Sequence, residues 1–215
     1  MIYMCLGAPG AYIPPNFKKE SGDFVIGVDH GTIVFRNHGI KVDLAIGDFD
    51  SLDEEELAYL NEIDEVISLP REKDDTDTEA ALKWILAQGL EGEITIFGAF
   101  GGRLDHSVSI LWLGYHPILE QIVDRVNFVQ KDSFLKFYFP GIHEIRDERH
   151  WRYLSFILLT PISNLSLSGV KYELPGVDVA RPRAYISNEF VEDKMTLAFQ
   201  TGRIAMIQAA DDHRF

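Results

Sequence analysis

Over the first 130 residues, short runs rich in β-branched residues alternate with segments of helical period, and this alternation restricts the chain's fold more than any other feature. The runs lie at 24–28, 44–46, 65–69, 94–97 and 126–129. Strands alternating with helices at this spacing specify βαβ units and therefore a parallel sheet. The clearest helix covers about 77–88: Ala80, Ala81, Trp84 and Ile85 share a face, Thr76 and Glu79 make a capping-box pair, and Gly89 supplies a stop. A second helix is expected from about Asp53, with Glu56 three residues later and Leu57 and Leu60 turned inward. A third follows Asp105, with Val108, Leu111 and Trp112 as its apolar face.

After about Lys131 the helical period disappears. Strand-like segments at 134–139, 153–159, 184–186, 194–199 and 203–207 are separated by Pro140-Gly141, Pro161, Pro175-Gly176 and Thr201-Gly202. This is the punctuation of a small all-β domain. The expected fold class is therefore α/β, with an N-terminal Rossmann-like parallel-sheet domain over residues 1–130 and a small all-β, sandwich-like domain over 131–215.

Charge narrows the partners. Asp and Glu number 34 against 20 Lys and Arg, a formal net charge of −14. Such a surface repels a phosphate backbone, so nucleic acid is not an expected partner. A polyphosphate substrate would need a metal ion or a local basic group to approach. Cys5 is the only cysteine, which excludes an intramolecular disulfide and a cysteine-based zinc cluster within one chain. The first residues lack the basic segment of a signal peptide, and no uncharged apolar stretch reaches the ~18 residues of a membrane span. A cytoplasmic protein without a membrane partner is expected.

Three polar clusters fall just past the C-terminal ends of predicted parallel strands, where open α/β sheets place their ligand crevices. In Gly47-Asp48-Phe49-Asp50-Ser51, two carboxylates one residue apart can turn toward the same cation, although a lone Asp-x-Asp also suits a helix-start loop. In Lys73-Asp74-Asp75-Thr76-Asp77, three carboxylates in four residues repel one another, and a divalent cation relieves that most directly. Asp77 would also complement a helix dipole without any ligand. In Gly98-Ala99-Phe100-Gly101-Gly102-Arg103-Leu104-Asp105-His106, the glycines let backbone N–H groups face a phosphate, and Arg103 offers a planar fork. This is neither a P-loop nor a Rossmann fingerprint. A histidine such as His106 is more often structural than catalytic. Together the clusters supply the parts of metal-dependent phosphoryl or diphosphoryl transfer without naming the acceptor.

With these motifs assembled, the chain resembles the thiamine pyrophosphokinase family. The resemblance rests on Asp29-His30-Gly31, Gly47-Asp48-Phe49-Asp50-Ser51, Asp74-Asp75-Thr76-Asp77, Gly101-Gly102-Arg103-Leu104-Asp105-His106, Gly169-Val170-Lys171-Tyr172 and Ser187-Asn188-Glu189-Phe190, which run in the family's order. It implies an ATP:thiamine diphosphotransferase acting with Mg²⁺ and releasing AMP, built as a homodimer with active sites between subunits. By the same resemblance Asp48, Asp50 and Asp77 are metal and phosphate-region carboxylates with Asp75 close by. Arg103 holds the transferred group, and Asp105 orients substrate or nucleotide. Asp29, Gly31, Gly101, Gly102 and His106 belong to the nucleotide region. Ser187 and Asn188 contact thiamine, Phe190 walls its ring, and the second domain carries acceptor recognition and dimer contacts. His30 stands where the family more often has a small residue, and residues 143–150 have no clear counterpart. Rival readings are a diphosphotransferase with a pterin-type acceptor and a non-catalytic nucleotide-sensing module. A haloacid-dehalogenase-type phosphohydrolase would want Thr or Val where Leu52 stands.

Overall fold

The computed structural model describes residues 1–211. The chain divides into two compact units, Met1–Lys131 and Asp132 onward. Among the described residues no helix is long and apolar enough to cross a membrane.

The first unit holds strands β1 (Ile2–Cys5), β2 (Phe24–Val28), β3 (Leu44–Gly47), β4 (Glu65–Ser68), β5 (Ile94–Phe97) and β6 (Val126–Val129). All pair in parallel, in the order β6-β5-β1-β2-β3-β4. Apolar residues along β2, β3 and β5 are buried, as a sheet covered on both faces requires. The terminal strand β4 carries Glu65 and is mostly exposed, which suits an edge. β1 was not anticipated from the sequence; its four residues are too few to display a period.

Four α-helices connect the strands: α1 (Gly31–Asn37), α2 (Glu54–Tyr59), α3 (Asp77–Ala87) and α4 (Leu104–Trp112). The capping box expected at Thr76 is formed, and a second one starts α2. Thr76 Oγ1 accepts from Glu79 N at 3.2 Å while Glu79 accepts from Thr76 N at 2.7 Å, and Asp53 and Glu56 exchange the same bonds. α3 buries Ala81, Leu82 and Ile85.

Two expectations about helix faces are corrected. Leu57 does not turn inward: it is 42% exposed, and α2, a helix of six residues and fewer than two turns, buries none of them. On α4, Val108 and Trp112 are 44% and 61% exposed, and Ile110 is the buried residue. Amphipathic spacing identifies a face without identifying what covers it.

The second unit is all β: β7 (Ser133–Tyr138), β8 (Gly141–Arg146), β9 (Tyr153–Leu158), β10 (Ile162–Ser168), β11 (Leu174–Val179), β12 (Arg183–Asn188), β13 (Lys194–Phe199) and β14 (Ile204–Ala209). Within it, antiparallel strands run in the orders β12-β9-β14-β7 and β11-β10-β13-β8. Alternate residues are buried along β9 (Leu154, Phe156, Leu158) and β13 (Met195, Leu197, Phe199), the period of sheets with one covered face. Pro175-Gly176, expected as a turn, lies inside β11. That strand ends its sheet, the position where proline is tolerated because alternate N–H groups face away from the neighbouring strand.

Gly31 begins α1 against the end of β1, where an added Cβ would overlap the Cys5 carbonyl oxygen. No rotamer relieves a clash between a Cβ and a backbone carbonyl. Gly31→Ala should therefore cost about 1–3 kcal/mol, read as a lower urea midpoint at unchanged m-value.

Candidate active site

From β1 the first unit's chain moves outward through β2 and β3 to β4, then returns to place β5 on the other side of β1. Ligands of open α/β sheets bind outside the carboxyl ends of the strands where the order reverses in this way. A cleft of about 540 Å³ opens there, within the size range of small-molecule sites. Its walls are residues 6–9 after β1, Asp29 and His30 after β2, Ser51 after β3, Thr76, Asp77 and Thr78 at the start of α3, and Gly98, Gly102, Arg103 and His106 after β5. The loops after β1 and β5 are tied together: Leu6 N donates to Phe97 O and Ala8 N to Gly98 O, both at 3.0 Å. The N-termini of α3 and α4 both contribute to the cleft, so two positive dipole ends face whatever anion enters.

Asp29 is the most perturbed group. It sits at φ 48°, donates its N–H to Ile46 O at 3.0 Å, and accepts at Oδ1 from Phe49 N at 3.2 Å. Phe49 is also left-handed, at φ 56°. Two non-glycine residues held in that region on neighbouring loops mark stored backbone strain of the kind found at functional sites. Position 47 must be glycine, because a Cβ there would run into the Asp29 carboxylate. Burial first, then the charge of Asp77 and a hydrogen bond to it, raise the Asp29 carboxyl to about 7; Asp48 adds to the rise and the Phe49 N–H opposes it.

The other expected carboxylates divide into two groups. Asp77 stands beside Asp29, and its Oδ1 is buried without a well-aligned hydrogen bond, although Lys73 Nζ lies 2.8 Å away as an ion pair. Asp48 accepts from Asp50 N at 3.1 Å, and its charge reaches both Asp29 and Lys73. Asp50 pairs instead with Arg71 at 3.1 Å, and Asp75 with Lys83 at 2.6 Å. Asp29, Asp48 and Asp77 are therefore the carboxylates that the fold gathers.

Arg103 reaches the cleft while its guanidinium makes a two-pronged contact with Asp105, Nε to Oδ1 at 3.1 Å and a terminal nitrogen to Oδ2 at 2.6 Å. Both side chains are largely exposed, and such surface pairs are weak, so the fork is available to a phosphate. His106 and Gly102 line the cleft. Gly101 packs on the Pro9 carbonyl and Gly31 on that of Cys5, so both support the walls. The 6–9 loop, Ser51, Thr78 and Lys73 had not been singled out as site residues. An apolar run ending in Gly7-Ala8-Pro9-Gly10 was the available signal for the loop.

The residues present fit a hard, oxygen-seeking cation. Among the described residues no three acidic, histidine or cysteine side chains form a ready cage. Mg²⁺ does not need one, since it commonly keeps several waters and is held by one or two carboxylates plus substrate phosphates. Asp77, with its buried Oδ1, and Asp48 are suited to that role.

In the second unit the two remaining motifs form one structure. Lys171 N donates to Glu189 O at 2.9 Å and Val191 N to Gly169 O at 3.1 Å, with a bridge between Val170 and Phe190. Asn188 is 3% exposed and clamps the pair: Oδ1 accepts from Tyr172 N at 2.9 Å and Glu189 N at 3.0 Å, while Nδ2 donates to Tyr172 O at 3.0 Å. Its amide is thus occupied almost wholly by backbone. Ser187 is exposed at φ 60°, Phe190 is half-buried, and Tyr172 is 59% exposed.

The raised Asp29 carboxyl has a pH consequence. Folded protein holds this proton up to about 7, whereas an unfolded aspartate releases it near 3.8. Folding is therefore opposed progressively as pH rises through that window, and the full penalty is present above it. In chelator, urea midpoints of the wild type should fall relative to those of Asp29→Asn between about pH 4 and 7. Parallel pH profiles would contradict the assignment.

Comparison with known proteins identifies the family. Residues 18–123 match the family described as thiamin pyrophosphokinase, catalytic domain, and residues 142–204 match thiamin pyrophosphokinase, vitamin B1 binding domain. A thiamine pyrophosphokinase of Bacillus subtilis (strain 168) is 33% identical over 214 residues, covering 98% of this chain and 99% of the relative. The crystal structure of a thiamin pyrophosphokinase family protein from Enterococcus faecalis superposes with a TM-score of 0.89 at 36% identity, covering 98% and 99% of the two chains. That of the Bacillus subtilis thiamine pyrophosphokinase gives 0.86 at 31%, with the same coverage. This chain belongs to the thiamine pyrophosphokinase family of enzymes.

Proposed function

We propose that this protein transfers a diphosphate from ATP to the hydroxyl of thiamine, releasing AMP, with Mg²⁺ as the metal. The observation that carries the reading is the cleft at the strand-order reversal, where Asp77, Asp29 and Arg103 surround a space fed by two helix N-termini, in a chain that matches both family domains. The bond formed joins the thiamine oxygen to the β-phosphorus. The bond broken is that between the β-phosphorus and the bridging oxygen, which leaves with AMP. Bound Mg²⁺ supplies charge neutralisation for the polyphosphate oxygens. The helix N-termini of α3 and α4 and the Arg103 fork hold the phosphates, and Arg103 stabilises the group in transit. Asp77 and Asp105 are the candidates to receive the hydroxyl proton; Asp77 faces the cleft, whereas Asp105 is engaged by Arg103.

The same proposal assigns thiamine to the second unit, at the motif pair clamped by Asn188. Ser187 offers a polar contact, Phe190 and the exposed Tyr172 offer aromatic surface to a flat cationic ring, and Asn188 acts by holding them in place. A homodimer is part of the reading. Leu104, Val108 and Trp112, spaced one helical turn apart on α4, are 79%, 44% and 61% exposed, an apolar stripe of the kind a second copy covers. A cytoplasmic location, where ATP and Mg²⁺ are held, completes it.

Incubation with ATP, Mg²⁺ and thiamine, with products identified by mass, tests the reaction; thiamine diphosphate and AMP in equal amounts are expected. Arg103→Ala should lower kcat on the order of 10²-fold or more, and Asp77→Asn should abolish most turnover with the fold intact by circular dichroism. Phe190→Ala should raise the thiamine KM about 2- to 30-fold, as loss of one cation–aromatic contact predicts, while the ATP KM stays put. An equal rise in both would place acceptor recognition elsewhere.

A further inference from the structure

Three carboxylates, Asp29, Asp48 and Asp77, crowd one end of the first unit, and the Lys73 ammonium faces them from the loop between β4 and α3. Lys73 Nζ is 2.8 Å from Asp77 Oδ1 and 3.3 Å from Pro70 O, its side chain is only 15% exposed, and Asp48 and Asp29 also act on its charge. The neighbouring cations are placed differently. Arg71 is 79% exposed and serves Asp50, and Lys83 serves Asp75. Without a partner, a carboxylate oxygen as buried as Asp77 Oδ1 would carry a large desolvation cost. A lysine is a compact point charge on a flexible stem, so it can fill a cation's electrostatic role and then withdraw.

We propose that Lys73 is the internal counter-ion of the metal site: it neutralises Asp77 while no metal is bound and must surrender that ion pair when Asp77 takes a divalent cation. The proposal rests on the reading of Asp48 and Asp77 as the cation-binding carboxylates. Its consequence is that Mg²⁺ alone competes with a built-in cation and binds weakly. An arriving polyphosphate gives the displaced ammonium a new partner, so metal and nucleotide favour each other's binding. Lys73 is thus a positioning residue that couples the two ligands.

Calorimetric titration of the full-length, nucleotide-free protein with MgCl₂ tests this. Lys73→Met and Lys73→Gln, checked for fold by circular dichroism, should bind Mg²⁺ about tenfold tighter or more, because a neighbouring positive charge has been removed. They should also lose stability in chelator and regain it with Mg²⁺. Lys73→Arg, which keeps the charge, should resemble the wild type, and adding Asp77→Asn to Lys73→Met should abolish the gain. Unchanged or weaker Mg²⁺ binding in Lys73→Met and Lys73→Gln, with Asp77→Asn still weakening it, would overturn the counter-ion role and leave the site reading standing. If Asp77→Asn changes Mg²⁺ binding in neither background, the site reading fails and this proposal falls with it.

Discussion

Asp29 and Asp77 are forced together at the carboxyl ends of the parallel strands, and the surrounding cleft is arranged around that repulsion. Holding the pair there takes a left-handed Asp29, a left-handed Phe49 and a residue without a side chain at position 47. The strain and the repulsion are each unfavourable alone. They persist because a buried sheet fixes the loop ends on both sides and because the crowded charge can be relieved by a proton, an ammonium or a metal ion. Each of those partners has a place in the structure: burial and the nearby charge of Asp77 favour a proton on Asp29, Lys73 lies on Asp77, and the oxygen ligands fit Mg²⁺.

The acidic balance of the chain then has a local meaning. A net charge of −14 opposes an anionic substrate, but charges beyond a Debye length are screened. At close range the cleft itself presents something different: the N-termini of α3 and α4, and Arg103 held by an exposed carboxylate.

The second unit shows a different device. On the proposed reading a flat acceptor needs a rigid polar and aromatic frame, and an irregular loop pair in water would not supply one. Asn188 converts two loops into a single element by bonding to backbone on both sides. Buried side-chain amides satisfied in this way rigidify their surroundings and are costly to disturb. Its part in the motif is thus to set the shape of the surface that Ser187, Phe190 and Tyr172 present.

Much of this was written in the sequence. The period switch near Lys131 separates parallel from antiparallel architecture, because covered strands and half-covered strands demand different residue patterns. Both capping boxes follow from side chains three residues apart, an interaction local enough to need no tertiary context. Asp48, Asp77 and Arg103 could be named because loops after parallel strands face one end of a sheet, whereas Asp29 was marked only by the family resemblance. What the sequence did not hold was partnership. Asp50 and Asp48 are equivalent on paper, yet one meets Arg71 and the other joins Asp29 and Lys73. Val108 and Trp112 have the spacing of a core face and lie in solvent on this chain. β1 is too short to announce itself, though it lies at the centre of the first unit's sheet and leads into the 6–9 loop that walls its cleft. Local spacing determines which residues share a face or a loop; only the fold, by bringing distant segments within a few ångströms, decides which charge meets which and what is left uncovered.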